Sequence, residues 1–208
     1  MRRPGPRVTA SGLRRAFADL SLAALCLAFA YGQLRAFALT HRASAPLFVA
    51  TELLFAAFAV FRRPADDVSR SPWDWFATFA GTAAPLLLQP TAAPHDLVAA
   101  QALQIFGAAG CVLGILSLNR SAGVVPAHRE VKSSGAYRLV RHPLYASYAI
   151  TDLGYVLSNS SGWNTVVLAA GFAFQVARIF NEERLLSAHE SYRAYQARTR
   201  WRLLPFVF

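Results

Sequence analysis

Six windows of mainly apolar residues constrain the fold of this chain more than any other feature of its sequence. They cover residues 16–34, 43–61, 73–93, 97–118, 144–160 and 163–180. A helix that crosses a bilayer needs about 20 mainly apolar residues, and 55% hydrophobic with 15% charged residues is unusual for a soluble domain. The windows therefore predict an all-α, polytopic membrane protein with about six spans. Prolines weaken the third window, and short length and Asp152 weaken the fifth, which leaves five spans as the alternative.

The distribution of basic residues predicts the orientation of these spans. Lys and Arg accumulate in cytoplasmic segments near the ends of spans. All 21 of them except Arg35 and Arg42 fall in the N-terminal tail, in the loops after the second and fourth windows, and from residue 178 onward. Six spans place these four segments on one side, so both termini are expected in the cytoplasm. This orientation explains the net charge of +10 without a nucleic-acid partner, and the Arg- and Ala-rich composition favours a bacterial inner membrane.

The chain divides into two regions of different character. Residues 1–118 are expected to form a transmembrane bundle in which Gly107, Gly110 and Gly114 allow close helix packing. Glu52 is expected to have a structural partner there, although an ionisable residue in a span is also a functional candidate. Residues 119–208 begin with a polar, basic segment that is longer than an ordinary connection. We therefore expect the C-terminal region to carry the function.

A predicted hairpin of the fifth and sixth windows brings two polar clusters together. The first contains His142 and Pro143, and proline suits the first helical turn because its missing N–H would have no helical partner. The second begins with Glu182 and Glu183, about 40 residues later. Two helices of about 20 residues each cross the bilayer and return, so both clusters are expected on the cytoplasmic side. Their cations, carboxylates and tyrosines suit a small zwitterionic ligand with a flat ring.

Further predictions concern the residues after the sixth window and Asp152 within the fifth. From Arg178 onward a continuing helix would carry an apolar stripe that includes Tyr192 and Tyr195, with arginines opposite. This pattern is typical of an amphipathic helix on a membrane surface. Glu183 is interpreted as a surface charge paired with arginines. For Asp152, a contact with a polar substrate and a hydrogen bond between helices both remain open.

The two polar clusters resemble the motifs of the isoprenylcysteine carboxyl methyltransferase family and the related phospholipid methyltransferases. The first motif, Gly-x-Tyr-x-x-x-Arg-His-Pro-x-Tyr, is matched by Gly135, Tyr137, Arg141, His142, Pro143 and Tyr145. The second is a Glu-Glu pair followed by "SYRAYQARTRWRLLP", which is similar to the closing segment of that family. The resemblance covers the C-terminal region alone, since residues 1–118 contain no motif to compare.

The resemblance implies a membrane methyltransferase that uses S-adenosyl-L-methionine. It implies cofactor contacts at Arg129, Glu130, Val131, Lys132, Tyr137, His142, Pro143, Leu144, Tyr145 and Glu182. Arg178 falls at a substrate-binding position, where a guanidinium can orient a carboxylate through paired hydrogen bonds. Arg178 and Arg141 are the candidate catalytic residues, and no metal site is expected. Because methyl transfer is a direct displacement, the protein mainly aligns the reactants and excludes water.

The acceptor is less constrained than the methyl donor. Arg178 favours a lipophilic small molecule or a lipid-linked acceptor with a carboxylate, and a phospholipid amine is the alternative. An NADPH-dependent enzyme similar to the sterol reductases is a further possibility because that family has a similar C-terminal arrangement, although the two adjacent glutamates favour the methyltransferase. A noncatalytic membrane component also remains open, and the sequence does not indicate an oligomeric state.

Overall fold

A computed structural model describes residues 10–40, 45–61, 65, 67–89, 91, 97–121 and 126–208, and this part of the chain is mostly helical. It contains seven α-helices: α1 (Ala10–Thr40), α2 (Ala45–Phe61), α3 (Pro72–Ala83), α4 (Val98–Leu118), α5 (Pro143–Ser158), α6 (Gly162–Leu186) and α7 (Glu190–Arg198). Two short strands, β1 (Asp67–Val68) and β2 (Ala127–His128), pair antiparallel. The prediction of a helical bundle is confirmed, with this small ribbon as an addition.

The six apolar windows all coincide with helices, but the helices differ in their capacity to cross a membrane. Within the described ranges, α4 and α6 are long and apolar enough to do so, and Pro46–Phe61 in α2 is a shorter apolar helix. The third window forms α3, which has 12 residues, followed by a 3₁₀ turn over Ala84–Leu87 that contains Pro85. Several arginines that support the predicted orientation lie outside the described residues: Arg2, Arg3, Arg7, Arg62 and Arg63.

Helices α4 and α5 pack closely through the glycines that the sequence indicated. A Cβ atom on Gly107 would lie 2.8 Å from the backbone oxygen of Ser147, and one on Gly114 would lie 2.8 Å from Cδ2 of Leu144. A Cβ atom on Gly110 would lie 2.5 Å from the hydroxyl oxygen of Ser147. The prediction that these glycines serve packing is confirmed, and the constraint is strictest at Gly107, where a Cβ atom would meet backbone atoms of α5.

The turn between α5 and α6 is fixed by two buried asparagines. Asn164 accepts a hydrogen bond from the backbone N–H of Gln89 at 2.9 Å and donates to the backbone oxygen of Gln89 at 2.8 Å. Asn159 accepts from the backbone N–H of Thr91 at 3.3 Å. These bonds pair with backbone groups of the segment after α3 and hold the turn of the hairpin against it.

At the other end of the hairpin the sixth helix does not continue as predicted. It ends at Leu186, and α7 begins at Glu190 after a short turn. Tyr192 and Tyr195 of α7 are buried against Tyr137, and the Tyr195 hydroxyl donates a hydrogen bond of 2.7 Å to the Tyr137 carbonyl. The prediction that the helix continues without a break is therefore wrong. Its tyrosine stripe packs inside the protein instead.

Candidate functional site

One cavity of about 810 Å³ joins the polar ends of α5 and α6 to the interior of the helix bundle. Ligand cavities in proteins commonly occupy about 300–1,000 Å³, so this one is large. Of the residues assigned to the site from the sequence, these line it: Arg129, Glu130, Val131, Lys132, Tyr137, Arg141, His142, Leu144, Tyr145, Arg178 and Glu182. Pro143 is the first residue of α5 and is not among the lining residues.

Tyr145 and Glu182 join the two sequence motifs directly. The Tyr145 hydroxyl donates a hydrogen bond of 2.8 Å to Oε2 of Glu182. The ring of His142 stacks on the ring of Tyr145, with centroids 5.5 Å apart and planes inclined by 10°. The hairpin thus brings together residues about 40 positions apart, as the length of the two helices predicts. A carboxylate, a phenol and an imidazole share one wall of the cavity.

Glu183 is the centre of a buried charge cluster next to this wall. It is only 6% exposed and accepts hydrogen bonds from Nε of Arg141 at 2.7 Å and from Nε of Arg202 at 2.9 Å. Nε2 of His142 lies 3.2 Å from the same carboxylate. Pairing of Glu183 with arginines is confirmed, but its interpretation as a surface charge is wrong. The carboxylate compensates several basic groups at the start of α5.

The remaining donors of Arg141 bind the C-terminal segment. Its Nη1 donates to the backbone oxygens of Thr199 at 2.9 Å and Arg200 at 2.8 Å. The backbone N–H groups of Arg141 and His142 donate to the carbonyls of Trp201 and Arg202. Much of the donor capacity of the guanidinium is therefore used within the protein. These contacts fix the position of His142 at the cavity wall.

Arg178 lies on α6 one helical turn before Glu182 and faces the cavity. Its guanidinium carbon is 4.9 Å from the ring centroid of Tyr145, a cation–π contact. Its Nη1 donates a hydrogen bond of 3.2 Å to Oγ1 of Thr82. Arg178 is thus held between the C-terminal end of α3 and the wall formed by α5, where it can meet an anionic group inside the cavity.

The polar segment before α5 forms another wall. Residues 129–132 follow β2, and Nζ of Lys132 forms an ion pair of 2.9 Å with Glu130. Val131 packs on the tyrosine cluster of Tyr137, Tyr192 and Tyr195. The apolar residues of this segment therefore anchor it, which leaves its charged residues along the cavity.

Burial keeps the tyrosines of this cluster protonated. It raises the pKa of Tyr137 well above its ordinary value, and nearby Glu182 raises that pKa further. Burial also raises the pKa of Tyr195 to about 12, although the positive charge of Arg141 opposes the change. Both phenols are consequently neutral near pH 7, and neither is poised to act as a base.

The inner part of the cavity is mostly apolar but contains polar groups. Leu22, Phe48, Phe55 and Leu86 are among its apolar lining residues. Its polar lining residues include Glu52, Thr151, Asp152 and Gln175. Glu52 lies close enough to Cys26 for the two side chains to interact. Gln175 was not assigned to the site from the sequence, although its spacing of seven residues from Glu182 places both on one face of α6.

No protein-family model matches the sequence of this chain, and no curated protein matches it at a significant level.

Proposed function

We propose that this chain is an integral membrane enzyme that transfers the methyl group of S-adenosyl-L-methionine to a lipophilic acceptor. One observation carries the proposal: the residues of both sequence motifs surround a single cavity that continues into an apolar interior. A polar entrance suits a nucleoside cofactor, and an apolar interior suits the hydrocarbon part of an acceptor. The activity would resemble that of the isoprenylcysteine carboxyl methyltransferases.

The chemistry of the entrance residues fits the proposed cofactor. Its ribose diol and its ammonium group donate hydrogen bonds, and the carboxylate of Glu182 can accept them. The backbone N–H groups at the start of α5 and the positive end of its helix dipole favour the cofactor carboxylate. The aromatic rings of Tyr137 and Tyr145 offer surfaces for the adenine. When bound, the cofactor supplies an activated methyl group on a cationic sulfur.

The residues of this chain would mainly position the reactants and exclude water. Arg178 is placed to orient an acceptor carboxylate, with Tyr145 supporting its guanidinium. Arg141, assigned a catalytic role from its motif, would act by holding His142 in position. Removal of water strengthens these electrostatic contacts and favours a direct displacement between aligned groups.

The outer surface of the helices supports a location in the membrane. Large apolar side chains are exposed on α4, including Phe106 and Leu113, and on α6, including Val166 and Phe172. Contiguous apolar surface of this kind marks a protein or membrane interface. We propose six spans with both termini in the cytoplasm of a bacterial cell, which places the entrance of the cavity at the cytoplasmic face.

Ligand-induced stabilisation tests the proposed cofactor. A ligand that binds only the folded protein raises its free energy of unfolding by about 2.7 kcal/mol at one hundred times its dissociation constant. We expect S-adenosylhomocysteine to raise the thermal midpoint of the purified protein in detergent, and Glu182→Gln to reduce this shift. Stabilisation by NADPH alone would contradict the proposal and favour a reductase.

Transfer of an isotope-labelled methyl group in membranes, with identification of the product, would then define the acceptor.

A further inference from the structure

Two further polar residues line the cavity, and they lie deeper in the helix bundle than the motif residues do. Asp152 on α5 lies seven residues after Tyr145, and Gln175 on α6 lies seven residues before Glu182. Seven residues correspond to two turns of helix and about 10 Å along its axis. Because α5 and α6 are antiparallel and Tyr145 contacts Glu182, the same register brings Asp152 opposite Gln175. We call these two residues the deep polar pair.

The deep polar pair places hydrogen-bond acceptors at the wall of the cavity. Gln175 is only 6% exposed, and its Oε1 has no hydrogen-bond partner among the described residues. Asp152 has no hydrogen-bond or ion-pair partner within the same ranges of the chain. Both residues line the cavity. A buried acceptor without a partner is costly, so Oε1 of Gln175, beside the carboxylate of Asp152, calls for a hydrogen-bond donor at this level.

The surroundings make a structural role for the pair unnecessary. Polar residues that hold these helices together have partners, as Asn164 does through its bonds to Gln89 and Asn159. The close packing of α4 on α5 is achieved by glycines. Polar residues inside membrane segments are costly and are functional candidates by default. The pair is thus available to a ligand group that donates hydrogen bonds.

We infer that the methyl acceptor carries a hydrogen-bond-donating group, a hydroxyl or an amine, on its apolar part, and that this group binds Asp152 and Gln175. The inference rests on the proposed function, because it assumes that the acceptor occupies the inner cavity. A plain hydrocarbon chain would leave both acceptors unsatisfied, whereas an O–H or N–H group at this depth satisfies them. The acceptor is therefore a functionalised amphiphile, and the deep polar pair determines its specificity.

Long-chain probes that differ at one carbon test this inference. The probes are octadecanoate and its derivatives with a hydroxyl, amino or methoxy group at carbon 10, and their dissociation constants are measured by calorimetry on the full chain in lipid nanodiscs. The hydroxyl or amino probe is expected to bind roughly fivefold to tenfold more tightly than the methoxy probe, since one net hydrogen bond has about this value. The two donor probes distinguish a hydroxyl from an amine. Equal constants for the donor and methoxy probes, or no binding of any probe, would overturn the inference.

Variants separate recognition from folding. Asp152→Leu and Gln175→Leu are expected to abolish the preference for a donor probe while leaving the thermal midpoint of the ligand-free protein unchanged or higher. Asn164→Leu is the matched control, because it removes a buried amide with partners and is expected to lower the midpoint. A loss of stability in Asp152→Leu and Gln175→Leu equal to that of Asn164→Leu would show a structural role and overturn the inference. Binding of S-adenosylhomocysteine in the same preparation tests the proposed function separately, so either conclusion can fail alone.

Discussion

At the scale of single residues, Arg141 and Glu183 illustrate how a motif residue can act indirectly. The resemblance assigns Arg141 to the reaction, yet its guanidinium binds Glu183 and two carbonyls of the C-terminal segment. Glu183 in turn holds His142 and Arg202. This network connects the start of α5 to the end of α6 and to the segment after α7. We therefore interpret the second glutamate as a positioning residue and the first, Glu182, as the ligand-facing one.

Replacement of Glu183 by alanine is expected to destabilise the protein strongly. Removal of one partner from a buried ion pair leaves an uncompensated charge and costs about 3–5 kcal/mol, and here Arg141 and Arg202 both lose their carboxylate. We expect the free energy of unfolding, measured by denaturant titration in detergent, to fall by roughly this amount in Glu183→Ala.

Glu182→Ala is the matched control for this prediction. Glu182 accepts a hydrogen bond from Tyr145 and faces the cavity, so its removal should weaken binding of S-adenosylhomocysteine with a smaller loss of stability. If Glu183→Ala kept its stability and lost only ligand binding, the two glutamates would both be ligand contacts.

At the scale of helices, the small-residue positions of α4 were predictable from the sequence alone. Small residues repeated at near-helical spacing indicate close approach of membrane helices, and Gly107, Gly110 and Gly114 all face α5. The position of Pro143 was equally informative, since it is the first residue of α5. Both predictions depend on local geometry, which the sequence encodes directly.

Gly107→Ala is expected to disturb the contact between α4 and α5. The new methyl group would lie 2.8 Å from both the backbone oxygen of Ser147 and the backbone nitrogen of Thr151, and backbone atoms cannot move aside as a side chain can. Overpacking of this kind costs about 1–3 kcal/mol, so a lower thermal midpoint is expected. Gly32→Ala in α1 is the control, because nothing lies within 4 Å of its added methyl group and alanine is the better helix former. A lowered midpoint in both variants would show that the effect is not specific to the contact.

The break between α6 and α7 shows where sequence reasoning failed at this scale. An apolar stripe of tyrosines fits a membrane surface and a protein interior equally well by periodicity. The structure selects the interior, because Tyr137 arrives from the segment before α5 and packs on Tyr192 and Tyr195. The partner comes from more than 50 residues earlier in the chain, so no local pattern could have identified it.

At the scale of the whole molecule, the sequence predicted which residues meet but not how deep the cavity extends. The hairpin length was enough to place Glu182 beside the first motif, since two helices of similar length return to the same level. The depth of the cavity depends on residues of α1 and α2, such as Leu22 and Phe48, which belong to no motif. Their arrangement follows from packing among several helices, and single-sequence patterns do not specify it.

The orientation of the chain in the membrane gives the last prediction. The six proposed spans would place residue 1, residue 208 and Glu190 on the cytoplasmic side, and the turn between α5 and α6, which contains exposed Ser160, on the outer side. In intact bacterial cells the Ser160→Cys variant should therefore react with a membrane-impermeant maleimide. The Glu190→Cys variant should react only after the cells are permeabilised. The unmodified chain is the control, because Cys26 and Cys111 are both buried.

Fluorescent-protein fusions at each terminus distinguish five spans from six, since an odd number places the termini on opposite sides. Labelling of Glu190→Cys in intact cells would instead place the entrance of the cavity outside, away from the cytoplasmic supply of S-adenosyl-L-methionine, and would contradict the proposed function.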